Sequence, residues 1–498
     1  MTATPTSRWL CRFDKCHSEG LPPNTGSVQI GGALAKLLTI MRRLKNIKNT
    51  FSPINRLPLE TLAHTATFFA NERALINATA VCQHWRTTLL SFPLLWCNAS
   101  GSSSKIQAYT KRSKLSALHV DLSDPSLADL IIPHLGRLVA LTVWLNRPSS
   151  LGELTRRLRQ PIPTLHTFRI ALQGYHDVPR PKFSSDLKVP FFLYIRRLEL
   201  EGVMALDGCN LPYVTELVLR ANPVDHNNRL LSTLEQFPSL EKVHISLHHE
   251  LYSISLRRDV RTLSRVQEMS LLMRDTTSYP SEFPQVLRHL RLPILTSLCV
   301  QAAWEVTSYH PIFPAEAFCD HLPNFAELPE LQVHKGNSTP ELTFRSTSKA
   351  TLKYLPGISL DYDRIERKIW GGLPLDSVRR MTMNMVLRPS SREFLWCTRL
   401  LRDLKYLDHL ELRGECGDMI WWLCREITKG TRSLPIQTLT VRCGEPKRHQ
   451  GLKLKCLADA AGLTMTLVCA SDPAAHGGEV GVDPGGSDNE SGEDASSE

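Results

Sequence analysis

Between residues 105 and 470 apolar side chains return in one figure: apolar, two variable positions, apolar, one variable position, apolar. It is met by Leu115-Leu118-Val120, Leu138-Leu141-Val143, Leu165-Phe168-Ile170, Ile195-Leu198-Leu200, Val214-Leu217-Leu219 and Leu240-Val243-Ile245. It continues through Val266-Met269-Leu271, Leu295-Leu298-Val300, Leu328-Leu331-Val333, Val378-Met381-Met383, Leu407-Leu410-Leu412 and Ile436-Leu439-Val441. Neighbouring copies start 19 to 33 residues apart, with one gap of 50 before Val378. The later part of each copy has a period of two, which puts alternate side chains of a short strand on one face. The apolar residue three positions earlier enters from the incoming turn and covers the same core. One such unit cannot bury its face alone, so the copies are expected to stack side by side as an irregular α/β solenoid. A non-repetitive α/β domain is the alternative reading.

Ahead of this region the period changes to that of helices. Leu57-Pro58 opens a first helix, proline suiting an early helical turn, and Leu62, Ala66 and Phe69 follow at helical spacing. A second is expected from Glu72 to His84, with Leu75, Ala78, Val81, Cys82 and Trp85 on one side. A third runs from Thr87 to Leu95, interrupted by Pro93 and followed by Trp96. Further upstream, Ala33 to Asn49 places Leu34, Leu37, Leu38, Met41, Leu44 and Ile47 near one helical face, with Arg42, Arg43, Lys45 and Lys48 towards the end. Such a helix suits either a membrane surface or targeting role, or simple packing on its neighbour or another chain. Asp14 and Glu19 depart from the composition of a transit peptide, which favours the packing reading. The expected organisation is a loose arm with this short amphipathic helix over 1–50, a small three-helix module over 51–100, the stacked units over 105–470, and a tail over 471–498.

Charge and chemistry refine this outline. Of 498 residues 42% are hydrophobic, and 59 Lys and Arg stand against 49 Asp and Glu. Eight of those acids, and no Lys or Arg, fall after Ala470, leaving 59 basic against 41 acidic residues in the body. The tail is acidic, Gly- and Ser-rich and nearly free of apolar residues, so it is expected to be disordered. Ser487 and Ser491, each three residues ahead of an acid, are its candidate phosphorylation sites. Thirteen scattered cysteines without a C-x-x-C pair argue against a disulfide framework or a thiolate zinc site, and for the reducing cytoplasm or nucleus. No run of eighteen apolar residues occurs, so no membrane partner is expected. Phosphate-binding, metalloprotease and nucleophile-elbow motifs are missing; no catalytic residue, metal or cofactor is expected. His248-His249-Glu250 and Cys319-Asp320-His321 read as surface residues, and Trp421-Trp422 as part of a core helix within Cys416 to Gly430.

The segment from Ile54 to Trp96 resembles an F-box, carried by Leu57-Pro58-x-Glu60, Leu75, Val81-Cys82-x-x-Trp85-Arg86 and Leu95-Trp96. With the stacked leucine figure behind it, the chain is similar to F-box proteins with irregular leucine-rich repeats, in the style of the expanded families of mushroom-forming fungi. The resemblance implies an α+β multidomain protein and a function as substrate-recognition subunit of an SCF-type cullin–RING ubiquitin ligase in ubiquitin-dependent degradation. It implies docking on a Skp-type adaptor, and through it on cullin and RING subunits, by Leu57, Pro58, Leu62, Phe69, Leu75 and Leu95. Val81, Trp85 and Trp96 would fill the module's core, and the repeat surface would hold a protein substrate. Thr61 and Thr65 stand where the family has Ile or Leu, which implies weaker docking. The alternative is a ligase-independent scaffold whose basic body binds an acidic protein or nucleic acid, although nucleic acid is not the expected partner.

Overall fold

The computed structural model describes residues 26–69, 71–146, 149–172, 193–202, 211–221, 227–248, 260–274, 287, 289–302, 321–335, 340–355, 375–384, 392–414, 417–428, 436–443, 455–456 and 458–469. The arm over 1–25 and the acidic tail with its Ser487 and Ser491 lie outside the described residues, as do His249, Glu250, Cys319 and Asp320. The chain forms two compact units, Met1–Val120 and Asp121–Glu498.

The first unit is helical. It contains α1 (Gly26–Thr50), a 3-10 turn (Pro53–Arg56), α2 (Leu59–Thr67), α3 (Glu72–Thr79), α4 (Gln83–Ser91), a second 3-10 turn (Pro93–Trp96), β1 (Asn98–Ser100) and α5 (Ser103–Arg112). Local chemistry sets these bounds. Pro58, with φ of −51°, stands at the N-cap of α2. Asn71 caps α3, its side-chain oxygen accepting from the Ala74 amide at 2.9 Å, and Glu72 in the first turn suits the positive helix end. Phe92 is extended, as the residue before Pro93 must be, so α4 stops there. Two helices differ from expectation, the second ending at Thr79 and the third starting at Gln83. The break at Ala80–Cys82 puts Cys82 in the extended conformation at the head of α4 and turns Trp85 inward. There the Trp85 Nε1 donates to Asn55 Oδ1 at 2.7 Å.

The second unit is built on an open, largely parallel sheet. Its strands are β3 (Leu138–Leu145), β4 (Thr167–Leu172), β5 (Arg197–Glu201), β6 (Glu216–Ala221), β7 (Lys242–His248), β9 (Glu268–Arg274), β11 (Ser297–Ala302), β12 (Glu330–Lys335), β13 (Pro340–Arg345), β14 (Thr351–Leu355), β15 (Arg380–Asn384), β16 (His409–Arg413), β17 (Thr438–Cys443) and β18 (Thr464–Cys469). A small parallel pair, β8 (Arg261–Thr262) and β10 (Leu290–Arg291), stands apart, and β2 (Leu118–Leu122) straddles the boundary between the units. The spatial order from β3 is β3-β4-β5-β6-β7-β9-β11-β14-β13-β12-β15-β16-β17-β18. Register aligns the apolar figure from copy to copy: Leu141, Phe168, Leu198, Leu217, Val243, Met269 and Leu298 stand in one row. Met381, Leu410 and Leu439 continue such a row at the other end.

Every second and third apolar position of the twelve copies is buried. So is every first position except Leu115, which is 92% exposed. Leu115 follows Lys114, whose positive φ of 49° makes a tight turn after α5 and throws the next side chain outward. The gap of 50 residues before Val378 has a structural cause. Strand β13 runs antiparallel to both β12 and β14, so the chain doubles back before β15 resumes the parallel order beside β12. Helices between strands bury one face each. In α6 (Ser149–Arg157) this is Leu154, in α7 (Asn227–Glu235) Leu230 and Leu234, and in α8 (Arg392–Asp403) Cys397, Leu400 and Leu401. In α9 (Gly417–Thr428), Ile420, Leu423 and Cys424 are buried, as a core helix requires. Trp421 is instead half-exposed with Arg425 stacked on it, while Arg402 of α8 stacks on Trp422.

Candidate protein-docking surface

The core of the first unit is assembled from the four helices after α1 and the second 3-10 turn. Leu62, Ala63 and Ala66 of α2, Leu75 and Ala78 of α3, Trp85 and Leu89 of α4, Trp96, and Ile106 and Tyr109 of α5 are all buried. Trp96 is its hub. The indole N–H donates to the Leu89 carbonyl at 2.9 Å, Tyr109 meets the ring edge-on at 5.0 Å between centroids, and the Arg112 guanidinium lies 4.6 Å from the ring centre. Glu72 ties α3 to α5 by accepting from Lys105 Nζ and the Tyr109 hydroxyl, each at 2.5 Å. Burial, and then the hydrogen bond to Glu72, push the Tyr109 phenol far above its ordinary pKa.

Against this frame the expected site residues separate. Trp85 and Trp96 are in the core. Pro58 is exposed, and Leu57, Phe69 and Leu95 are half-buried at the surface. Three placements correct the sequence reading. Leu62 and Leu75, expected at the partner surface, are only 1% and 7% exposed, because each lies on the stripe its helix turns towards α4. Val81, expected in the core, is 62% exposed, because the break between α3 and α4 leaves it on the outside of a turn. Besides Val81, the apolar residues that do face outward are Leu59, Phe68, Ile76 and Leu94, none of which sequence spacing singled out; the five are 46–74% exposed. The Phe68 and His64 rings meet in a T-shape, 5.1 Å apart between ring centres. Thr65 is exposed, but its hydroxyl donates to the Thr61 carbonyl at 2.8 Å. A polar group satisfied within its own helix costs less to cover than a free one.

Exposed apolar residues are unevenly shared. Among the described residues, fifteen large apolar side chains are exposed in the first unit and nine in the larger second unit. Single exposed leucines need no explanation; their concentration makes the first unit the candidate docking surface. Covering one of the five residues from α2 to the second 3-10 turn would contribute roughly 1–2 kcal/mol, since each is already partly shielded.

The second unit offers a different surface. The strand positions between the buried ones carry polar and charged side chains that answer one another across the sheet. Arg197 pairs with Glu216 at 3.1 Å, Lys242 with Glu268 at 2.8 Å, Arg169 with Glu201 at 2.6 Å and Lys353 with Glu341 at 2.6 Å. Glu411 receives both Arg413 and Arg442, at 3.0 and 2.6 Å. Arg169 also stacks over Trp144, whose indole donates to Asp121 Oδ1 at 2.6 Å. These bonds neutralise much of the positive charge on this face, which is the wrong arrangement for a phosphate track. It is a polar, hydrogen-bonding plane suited to many modest contacts with a protein.

Among the described residues no three His, Cys, Asp or Glu side chains converge in a way that could hold a metal, and no helix is long and apolar enough to cross a membrane. Cys82, Cys97, Cys299, Cys397, Cys424 and Cys456 are free thiols, and burial pushes the Cys299 and Cys424 thiols up, away from the reactive thiolate. Compared with models of known protein families and with curated proteins, the chain matches none, so its reading rests on its own residues and geometry.

Proposed function

We propose that this chain is a substrate-recognition subunit of an SCF-type cullin–RING ubiquitin ligase, an F-box module followed by an irregular leucine-rich-repeat solenoid. The observation that carries the reading is the pairing of a small, well-packed helical module with apolar side chains left outside it: Leu59, Phe68, Ile76, Val81 and Leu94. A module that already buries Leu62, Leu75, Trp85 and Trp96 does not need these residues for its own core. Together with Pro58 and the half-buried Leu57, Phe69 and Leu95, they form the face offered to a Skp-type adaptor. The aligned strands of the second unit supply the other half of the task. Their polar plane holds a target protein, so the chain contributes proximity while ubiquitin transfer takes place on other subunits.

Affinity capture followed by mass spectrometry tests this reading, comparing the full chain with one lacking residues 54–96. The adaptor, cullin and RING subunits are expected with the first and not with the second, while proteins common to both are candidate substrates. Recovery of no adaptor with the full chain would overturn the proposal.

A further inference from the structure

Helix α1 carries an apolar stripe that nothing in its unit covers. Its large apolar residues from Leu34 to Ile47 are each 45–60% exposed. At ~100° per residue they occupy about half of the helix circumference. Sequence spacing favoured a helix packed on its neighbour, but the stripe is bare. The charge around it is of one sign: Lys36, Arg42, Arg43, Lys45 and Lys48 lie in α1, and no acidic residue occurs between Glu19 and Glu60.

These observations select among the possible covers. A second copy of α1 would bring five positive charges against five with no acid to answer them, in either orientation. The chain's own acidic tail supplies charge, but Val480 and Val482 are its only large apolar residues, too few to cover a stripe several turns long. A surface that is both apolar and negative answers both halves of the helix. Lys and Arg stems can lie along the apolar boundary while their charged ends reach headgroups. The helix is not apolar enough to cross a membrane, so it would lie in the interfacial plane.

We propose that α1 is a membrane-surface helix that binds anionic phospholipid, its Leu and Ile side chains in the acyl boundary and its basic residues among the headgroups. This reverses the sequence expectation, which weighed a membrane-surface role for this helix, favoured packing instead and assigned no membrane partner. It stands independently of adaptor docking, since it uses none of the residues from Leu57 to Trp96.

Flotation of the full chain with lipid vesicles tests it. Binding is expected to vesicles of phosphatidylcholine mixed with phosphatidylserine, to weaken with added salt, and to be slight with phosphatidylcholine alone. Leu37→Asp/Leu44→Asp should abolish binding. Arg42→Glu/Arg43→Glu should weaken it at least about 25-fold, each basic residue near an anionic surface contributing about fivefold and the reversed charges weakening it further. All four side chains are exposed, so the variants should keep the circular dichroism of the rest of the chain. Failure to float with anionic vesicles, equal binding to both compositions, or undiminished binding of Leu37→Asp/Leu44→Asp would overturn the proposal. So would sedimentation showing that the same leucines hold two copies of the chain together without lipid.

Discussion

Replacing Trp96 by alanine tests the description of the first unit at its hub. The side chain is 1% exposed and joins the second 3-10 turn to α4 through the Leu89 carbonyl and to α5 through Tyr109 and Arg112. Truncating a buried tryptophan costs about 3–5 kcal/mol, from lost transfer energy and the cavity left behind. Trp96→Phe keeps a ring against Tyr109 but removes the indole donor to the Leu89 carbonyl, which keeps only the longer bond from the Phe92 amide at 3.4 Å; losing that one hydrogen bond costs about 0.5–1.5 kcal/mol. Hydrogen exchange on the full chain reads both, because amide protection reports the free energy of local opening. Amides of α4 and α5 should exchange about two to four powers of ten faster in Trp96→Ala, and about tenfold faster or less in Trp96→Phe. Strands β15 to β18 serve as the internal reference. Unchanged protection of α4 and α5 in Trp96→Ala would refute the claim that this residue holds the helices together.

Three further predictions address the cap, the buried hydroxyl and the sheet core. Asn71→Ala should destabilise the first unit by about 1 kcal/mol, and Asn71→Asp should restore most of it, as read by thermal unfolding. Tyr109 has a folded pKa above its unfolded value of about 10, so its contribution to stability is complete below that pH and is lost as the pH rises through the raised folded value. Glu72→Gln removes a carboxylate that raises this pKa and should bring the phenol's ionisation down, followed through the Tyr109 ring resonance; an unmoved titration would contradict the Glu72 contact. Leu410→Ala, at a fully buried position in β16, should cost about 2–5 kcal/mol in denaturant unfolding, whereas Thr440→Ala at a half-buried position on β17 should stay within about 0.5 kcal/mol.

How much of this was legible in the sequence depended on whether the deciding interactions were local. Alternation in a strand is local, and a leading apolar residue at a fixed offset distinguished each strand from chance, so all twelve copies map onto strands of the structure. Strands β13 and β14 escaped notice because they lack that leading residue: Thr339 and Lys349 stand where it would be. They are joined by a tight turn in which the Ser346 amide donates to the Ala350 carbonyl and Lys349 takes a φ of 66°. That turn places Lys349, not a leucine, ahead of β14. The helical module was harder to read side by side. Its helices are eight or nine residues long with apolar residues on more than one face, so spacing alone could not say which face turned inward. Leu62 and Leu75 turned inward and Val81 outward, against expectation, for that reason. What decided it was the break at Ala80–Cys82 and the Trp85–Asn55 hydrogen bond, a contact across thirty residues of chain.

Titration calorimetry of a purified Skp-type adaptor into the full chain measures the docking face most directly. The wild-type chain is expected to bind, and Val81→Asp/Leu94→Asp, which alters only exposed positions, should weaken binding at least on the order of 100-fold by placing two charges where apolar surface must be covered. Equal heats for the two chains, or no binding by the wild type, would contradict the account.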